Sequence, residues 1–174
     1  PYTRRLETWY TGITYNLGGV ILPLTELISF AVSIGVTAAL YLFLNKTYSG
    51  VAMQAVAQNR DAASLLGINI TKMYWLAFAI GCAISAIGGS LLATFYPIYP
   101  EMGGFFCLLA FVIVVFGGFG SIFGAYIAGL IIGISETVSA LFIPPTLKDV
   151  VAFLIFIIII LFRPTGLFGV KART

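Results

Sequence analysis

Histidine is absent from this chain of 174 residues, and charged side chains make up only 9% of it. Without imidazole the chain lacks the commonest general base near neutral pH and the commonest ligand for a transition metal. The shortage of charge excludes an ordinary soluble domain, in which about a quarter of the residues are charged. Cysteine is scarce as well. Cys82 and Cys107 stand inside separate apolar runs, without metal-ligand spacing, and read as small membrane-buried hydrophobes rather than a disulfide framework. Asp and Glu total six, with no pair inside one apolar run to share acid–base work. The phosphate-cradling pattern G-x-x-x-x-G-K-[ST] does not occur, so nothing in the sequence is built to hold ATP, and no cofactor is expected in this chain. A net charge of +3 is too small to call for nucleic acid.

What is present is apolar. Hydrophobic residues make up 60% of the chain and the mean hydropathy is +1.08, which places it among integral membrane proteins. The fold class expected is all-α: a polytopic transmembrane helix bundle of about five membrane segments with one short polar helix between two of them. Residues 1–23 form an extracytoplasmic segment, with Gly18 and Gly19 between β-prone runs suggesting a small hairpin. The first apolar run, 24–44, would be about 31 Å long as a helix, enough to cross the hydrocarbon core. A polar loop follows at 45–72, and a second span at 73–95 has aromatic residues at both ends. The third run, 104–118, would be only about 22 Å long, so it either recruits the residues before it or stops inside the membrane. The fourth run is 122–142 and the fifth 146–162, with Pro144 and Pro145 between them. The tail, 163–174, is polar and basic.

Lys and Arg set the orientation. Lys46, Arg60, Lys72, Arg163, Lys171 and Arg173 fall on one side, and Arg4, Arg5 and Lys148 on the other. The excess puts the loop 45–72 and the C-terminus in the cytoplasm. The chain opens on Pro1 with no signal peptide before its first apolar run, and reads as the C-terminal part of something longer.

Two spans carry small residues every fourth position: Ala77, Gly81, Ser85, Gly89 and Ala93 in the second, and Ala125, Gly129, Gly133 and Thr137 in the fourth. The latter overlaps a Gly120, Gly124, Ala128 row. Such stripes let backbones approach closely in lipid, where apolarity alone does not drive association. They suit static packing and a sliding face equally. Glu136 is the carboxylate placed inside a span, about 22 Å from Ser121 along the helix. It reads either as a pathway-lining group or as an outer-interface carboxylate paired with Lys148.

The polar loop divides into two short helices. Asn59 occupies an N-cap position, Asp61 lies in the first turn where the helix dipole favours an anion, and Gly67 sits at C′. Arg60–Leu66 is therefore a self-capped helix about 10 Å long. Alone in water so short a helix would not hold. Ala62, Ala63, Leu65 and Leu66 need a surface. That surface is its own membrane domain, or a partner protein, making the helix a lever on the two spans it joins, or the lipid headgroups.

The run Asp61 to Gly67, DAASLLG, resembles the EAA-xxx-G loop of ABC-type importer permeases, with Asp in place of Glu. The wider stretch from Ser49 to Lys72, the Pro-Glu-Met-Gly run at 100–103, Val114–Glu136 and the ending LFRPTGLFG resemble the branched-chain amino acid permease family, from about Leu17 to Gly169. The Leu-Pro that closes the longer loop in many importers is missing after Gly67. The resemblance implies that Arg60, Asp61, Ala62, Ala63, Ser64, Leu65, Leu66 and Gly67 form a coupling helix docking on an ATP-hydrolysing subunit, with Arg60 pairing to an acidic group there. It implies ABC ATPase subunits that bind the ATP, a second permease subunit and a periplasmic solute-binding protein as partners. The setting implied is a bacterial or archaeal inner membrane, and the solute a branched-chain or similar amino acid. The alternative is an ATP-independent channel or carrier for a small solute.

Overall fold

The structure is a computed structural model, and it describes residues 14–17 and 20–141 together with the single positions 154, 157, 161 and 166. Most of the fifth run and of the tail, as well as Arg4, Arg5 and Lys148, lie outside the described residues. Leu154, Ile157 and Leu161 are helical. The chain divides into two units, Pro1–Tyr99 and Pro100–Thr174.

The first unit opens with a two-stranded antiparallel sheet, β1 (Thr14–Leu17) and β2 (Val20–Pro23), in the register Thr14↔Pro23 and Leu17↔Val20. Pro23 then serves as the N-cap residue of α1 (Leu24–Lys46). Proline suits this boundary because its fixed φ is extended-compatible and its missing N–H is no loss where a helix begins. After α1 come α2 (Tyr48–Gln58), α3 (Arg60–Leu65) and α4 (Ile70–Leu92). Both α1 and α4 have 23 residues and are apolar enough to cross a membrane.

One sequence expectation needs correction here. The second span was placed at 73–95, but α4 begins at Ile70 because Asn69 caps it: the Asn69 side-chain oxygen accepts from the Lys72 N–H at 3.0 Å. Its far end is correspondingly earlier, and Ala93 stands at the C-cap. The small-residue stripe on α4 has no neighbour among the described residues. A Cβ built at Gly81, Gly88 or Gly89 would meet nothing within 4 Å, and Ala77 and Ser85 are exposed.

The second unit is a helical hairpin of α5 (Met102–Gly117) and α6 (Ile122–Ser139). The short third run is one continuous helix of 16 residues that takes in Met102 and Gly103. The fourth run ends at Ser139, three residues before Phe142. Between the helices, Gly118 closes α5 at φ 96°, and the Ser121 hydroxyl oxygen caps α6 by accepting from the Gly124 N–H at 3.0 Å.

Val112 and Phe116 of α5 pack against Ala128 and Ile132 of α6, with Leu109 and Ile113 beside them. The buried row on α6 is therefore Gly124, Ala128, Ile132, one residue earlier than the Ala125, Gly129, Gly133 stripe. Ala125 still contributes, since a Cβ at Gly117 would fall on its backbone nitrogen, and Gly129 would meet Ile113 at an ordinary 3.7 Å. Gly133 faces open space. The two rows are neighbours on one helix. The bare Cα of Gly117 lets the backbone of Gly124 and Ala125 come into contact, and Ala128 and Ile132 are the α6 residues that fill the seam beyond it.

Candidate functional site

The polar loop between α1 and α4 is built from its caps outward. Thr47 ends α1 and starts α2. Its hydroxyl donates to the Phe43 carbonyl at 2.6 Å and accepts from the Gly50 N–H at 3.1 Å. Gln54 Nε2 donates to the Leu44 carbonyl at 2.7 Å, which satisfies one of the orphan carbonyls at the end of α1. Gly50 permits this turn-back, because a Cβ there would overlap the Phe43 carbonyl and the Leu44 backbone. So α2 is tied to the end of α1 by three polar contacts and one bare Cα.

Asn59 is the single residue between α2 and α3, with φ −152° and ψ 103°. Its N–H donates to Ala55 O and ends α2, while its side-chain oxygen accepts from the Ala62 N–H at 3.0 Å and starts α3. The other end of α3 is a complete Schellman turn. Gly67 N–H donates to Ser64 O at 3.0 Å and Ile68 N–H to Ala63 O at 3.1 Å, around Gly67 at φ 79°. Ser64 Oγ donates to the Asp61 carbonyl at 2.7 Å. Ile68 then packs against the cluster that contains Ala63, the apolar contact such a turn normally carries.

The cluster decides which way α3 faces. Ala63 is 2% exposed and packs with Ala52, Val56 and Met73, flanked by Met53, Ile68 and Ile70. The remaining residues of α3 point outward, and Leu65 and Leu66 are 88% and 79% exposed. The sequence-level grouping of Ala62 to Leu66 as one contact surface is thus divided. Ala63 anchors the helix to its own loop, and Leu65 and Leu66 form the free apolar edge. Arg60 has its guanidinium carbon 5.9 Å from the centre of the Tyr74 ring, so it lies along α4, a cation–π contact worth about 0.5–1 kcal/mol at an exposed site.

Replacing Asn59 with alanine removes the cap bond and is expected to cost about 1 kcal/mol of local stability. Hydrogen exchange at the Ala62 amide should then speed up about five-fold while α4 amides stay protected.

A family model described as "Branched-chain amino acid transport system / permease component" matches residues 4–160. The chain belongs to this family. The chain is 38% identical over 162 residues to the high-affinity branched-chain amino acid transport system permease protein LivH of Escherichia coli strain K12, covering 92% of this chain and 52% of the relative. It is 37% identical over 155 residues to the permease protein BraD of Pseudomonas aeruginosa, covering 88% and 50%. A probable branched-chain amino acid transport permease protein LivH from Methanocaldococcus jannaschii is 31% identical over 138 residues, 75% of this chain and 44% of the relative. The chain thus spans about half the length of the curated relatives it matches. No solved structure matches it. Family membership, with three helices among the described residues long and apolar enough to cross a bilayer, makes it an all-α, multi-pass membrane protein.

Glu136, the other sequence candidate, stands near the far end of α6, half-buried, with its Oε1 enclosed. The proposed partner Lys148 lies outside the described residues. One group the sequence did not single out is Tyr126, whose hydroxyl is buried on α6 without a hydrogen-bond partner. Among the described residues no cluster of His, Cys, Asp or Glu suits a metal ion. Of the features missed in the sequence, the Asn69 cap had a signal, an Asn directly before an apolar run. The Gln54 and Arg60 contacts had none, since each depends on where a second helix lies.

Proposed function

We propose that the permease is part of the translocation pathway of an ATP-driven importer for branched-chain or similar amino acids, worked by a separate ATPase that grips α3. The observation that carries this reading is a six-residue helix, capped at both ends and anchored inward by Ala63, that presents two bare leucines to the outside. Leucines so exposed beside three tethering contacts are held out for a partner. The relatives' names supply the solute class.

In this arrangement α2 and α3 form a short arm between the ends of two spans. Force on Leu65 and Leu66 passes through Ala63 to Met73 at the start of α4, and through Gln54 and Gly50 to the end of α1. The arm and the C-terminus lie in the cytoplasm, on the side rich in Lys and Arg. A periplasmic binding protein delivers the solute to the opposite face, and a second permease subunit completes the pathway.

The test is leucine uptake into proteoliposomes holding the full-length permease with its partner subunits. Uptake should require hydrolysable ATP on the side of the ATPase. Uptake that proceeds without nucleotide, or without the ATPase, would replace this reading with a channel or carrier.

A further inference from the structure

Gly166 is buried and adopts φ 74°, a backbone conformation that side-chain-bearing residues rarely accept. A Cβ built on it would stand 2.6 Å from both Gly118 Cα and Gly118 N, and 2.6 Å from the Val115 carbonyl oxygen. Its neighbour is thus bare backbone at the last turn of α5. Gly118 is itself buried and left-handed at φ 96°; its N–H donates to Val114 O at 3.0 Å and its carbonyl accepts from the Ser121 N–H at 3.2 Å. The contact therefore falls on the hinge residue of the α5–α6 turn. Leu141 follows the opposite end of α6, a helix of 18 residues and about 27 Å. By Gly166 the chain is back at the end where α5 turned.

Gly120 provides the contrast inside the same turn. It too has positive φ, at 86°, but a Cβ there would meet nothing within 4 Å. Positive φ alone does not mark a contact; at Gly166 a second requirement, no Cβ at all, is added by Gly118.

We infer that Gly166 is a clasp that fastens its own point of the chain onto the α5–α6 turn, so that Gly166 and the turn end of the hairpin move as one body. Backbone seated on backbone leaves no side chain to rearrange, so the contact is either made or broken. Its use in transport rests on the function proposed above: a hairpin that shifts during the cycle carries the basic tail with it, and a released tail leaves the turn unsupported.

The test is made in the full-length permease with Cys82 and Cys107 replaced by alanine and spin labels at Phe119→Cys and Thr165→Cys. The parent should show strong dipolar coupling between the labels. Gly120→Asn should keep it, since asparagine tolerates positive φ better than most residues. Gly166→Asn should lose it, because the conformation is met but the Cβ is not accommodated, and the closed population should fall about ten-fold or more. Uptake by unlabelled Gly166→Asn should drop by about ten-fold, with Gly120→Asn close to the parent. Uncoupled labels in the parent overturn the clasp, a result that does not depend on any Gly166 variant folding. Coupling retained in Gly166→Asn overturns it as well. Separated labels with normal uptake would overturn its role in transport. The labels report tail position whether or not ATP drives the protein, so a failure of the importer reading is distinguishable from a failure of the clasp.

Discussion

Replacing Leu65 and Leu66 together with glutamine is expected to abolish uptake while the permease still inserts and folds. Glutamine has nearly the helix propensity of leucine, so α3 survives the change. The two side chains contact little of their own protein, being 88% and 79% exposed, so the loop loses almost no packing. What disappears is the apolar edge that the proposed ATPase contact would use. Full burial of a leucine contributes about 1.5–3 kcal/mol, so losing two should weaken the association by about 3 kcal/mol or more, a hundred-fold or greater rise in Kd. Co-purification of the ATPase subunits and their titration against the detergent-solubilised permease read this directly.

Ala63→Asp is the contrasting variant. Ala63 is buried among Ala52, Val56 and Met73, so a carboxylate there must break the inner cluster instead of the outer edge. Its effect would appear as faster hydrogen exchange throughout α2 and α3. If the Leu65/Leu66 variant binds the ATPase normally, the partner does not use this edge and α3 is not the arm.

The second large effect is at Gly124. Valine there should collapse the α5–α6 hairpin. A Cβ at Gly124 falls on the Gly117 carbonyl oxygen and stands 2.9 Å from Ser121 Oγ and 3.0 Å from the Gly117 carbonyl carbon. The obstacle is mostly backbone, which has no rotamer to change, so the helices must separate. Separation opens the seam of Val112, Phe116, Ala128 and Ile132, which is the buried core of this unit. Overpacking typically costs about 1–3 kcal/mol, and the contact here is at the unyielding end of that range. Lower accumulation in the membrane and a lower melting temperature are expected. Gly129→Ala is the control one turn on, where the added methyl meets Ile113 at 3.7 Å and replaces a helix-weakening glycine. A Gly124→Val permease as stable as its parent would mean that α5 and α6 do not approach as closely as the structure places them.

Both variants turn on features of different legibility. The membrane class, the ends of the described helices to within a few residues and the short helix after Asn59 follow from the sequence, because each depends on interactions inside one stretch of chain. An apolar run long enough to cross a bilayer is a property of the run. A cap is a bond between a side chain and an amide three residues away, as with Asn59 and Ala62 or Ser121 and Gly124. The family signature was legible for another reason: its motifs, DAASLLG and the glycine-rich stretch from Val114, stand in order along most of the chain.

Only the tertiary structure decided which faces are used. On α6 two small-residue rows run side by side, and nothing local prefers Gly124–Ala128–Ile132 over Ala125–Gly129–Gly133. The choice is made by the packing against Val112 and Phe116 on the other helix, after a close approach that Gly117 permits. On α3 the alanine that turns inward and the leucines that turn outward are all apolar, and only the packing of Ala63 against Ala52 and Val56 of α2 and Met73 of α4 tells them apart. Gly118 and Gly166 are far apart in the chain, and their meeting depends on where α5 and the returning segment are placed. Composition and spacing fix what a stretch of chain becomes. The partner surface, arriving from elsewhere in the fold, fixes which side of it is buried.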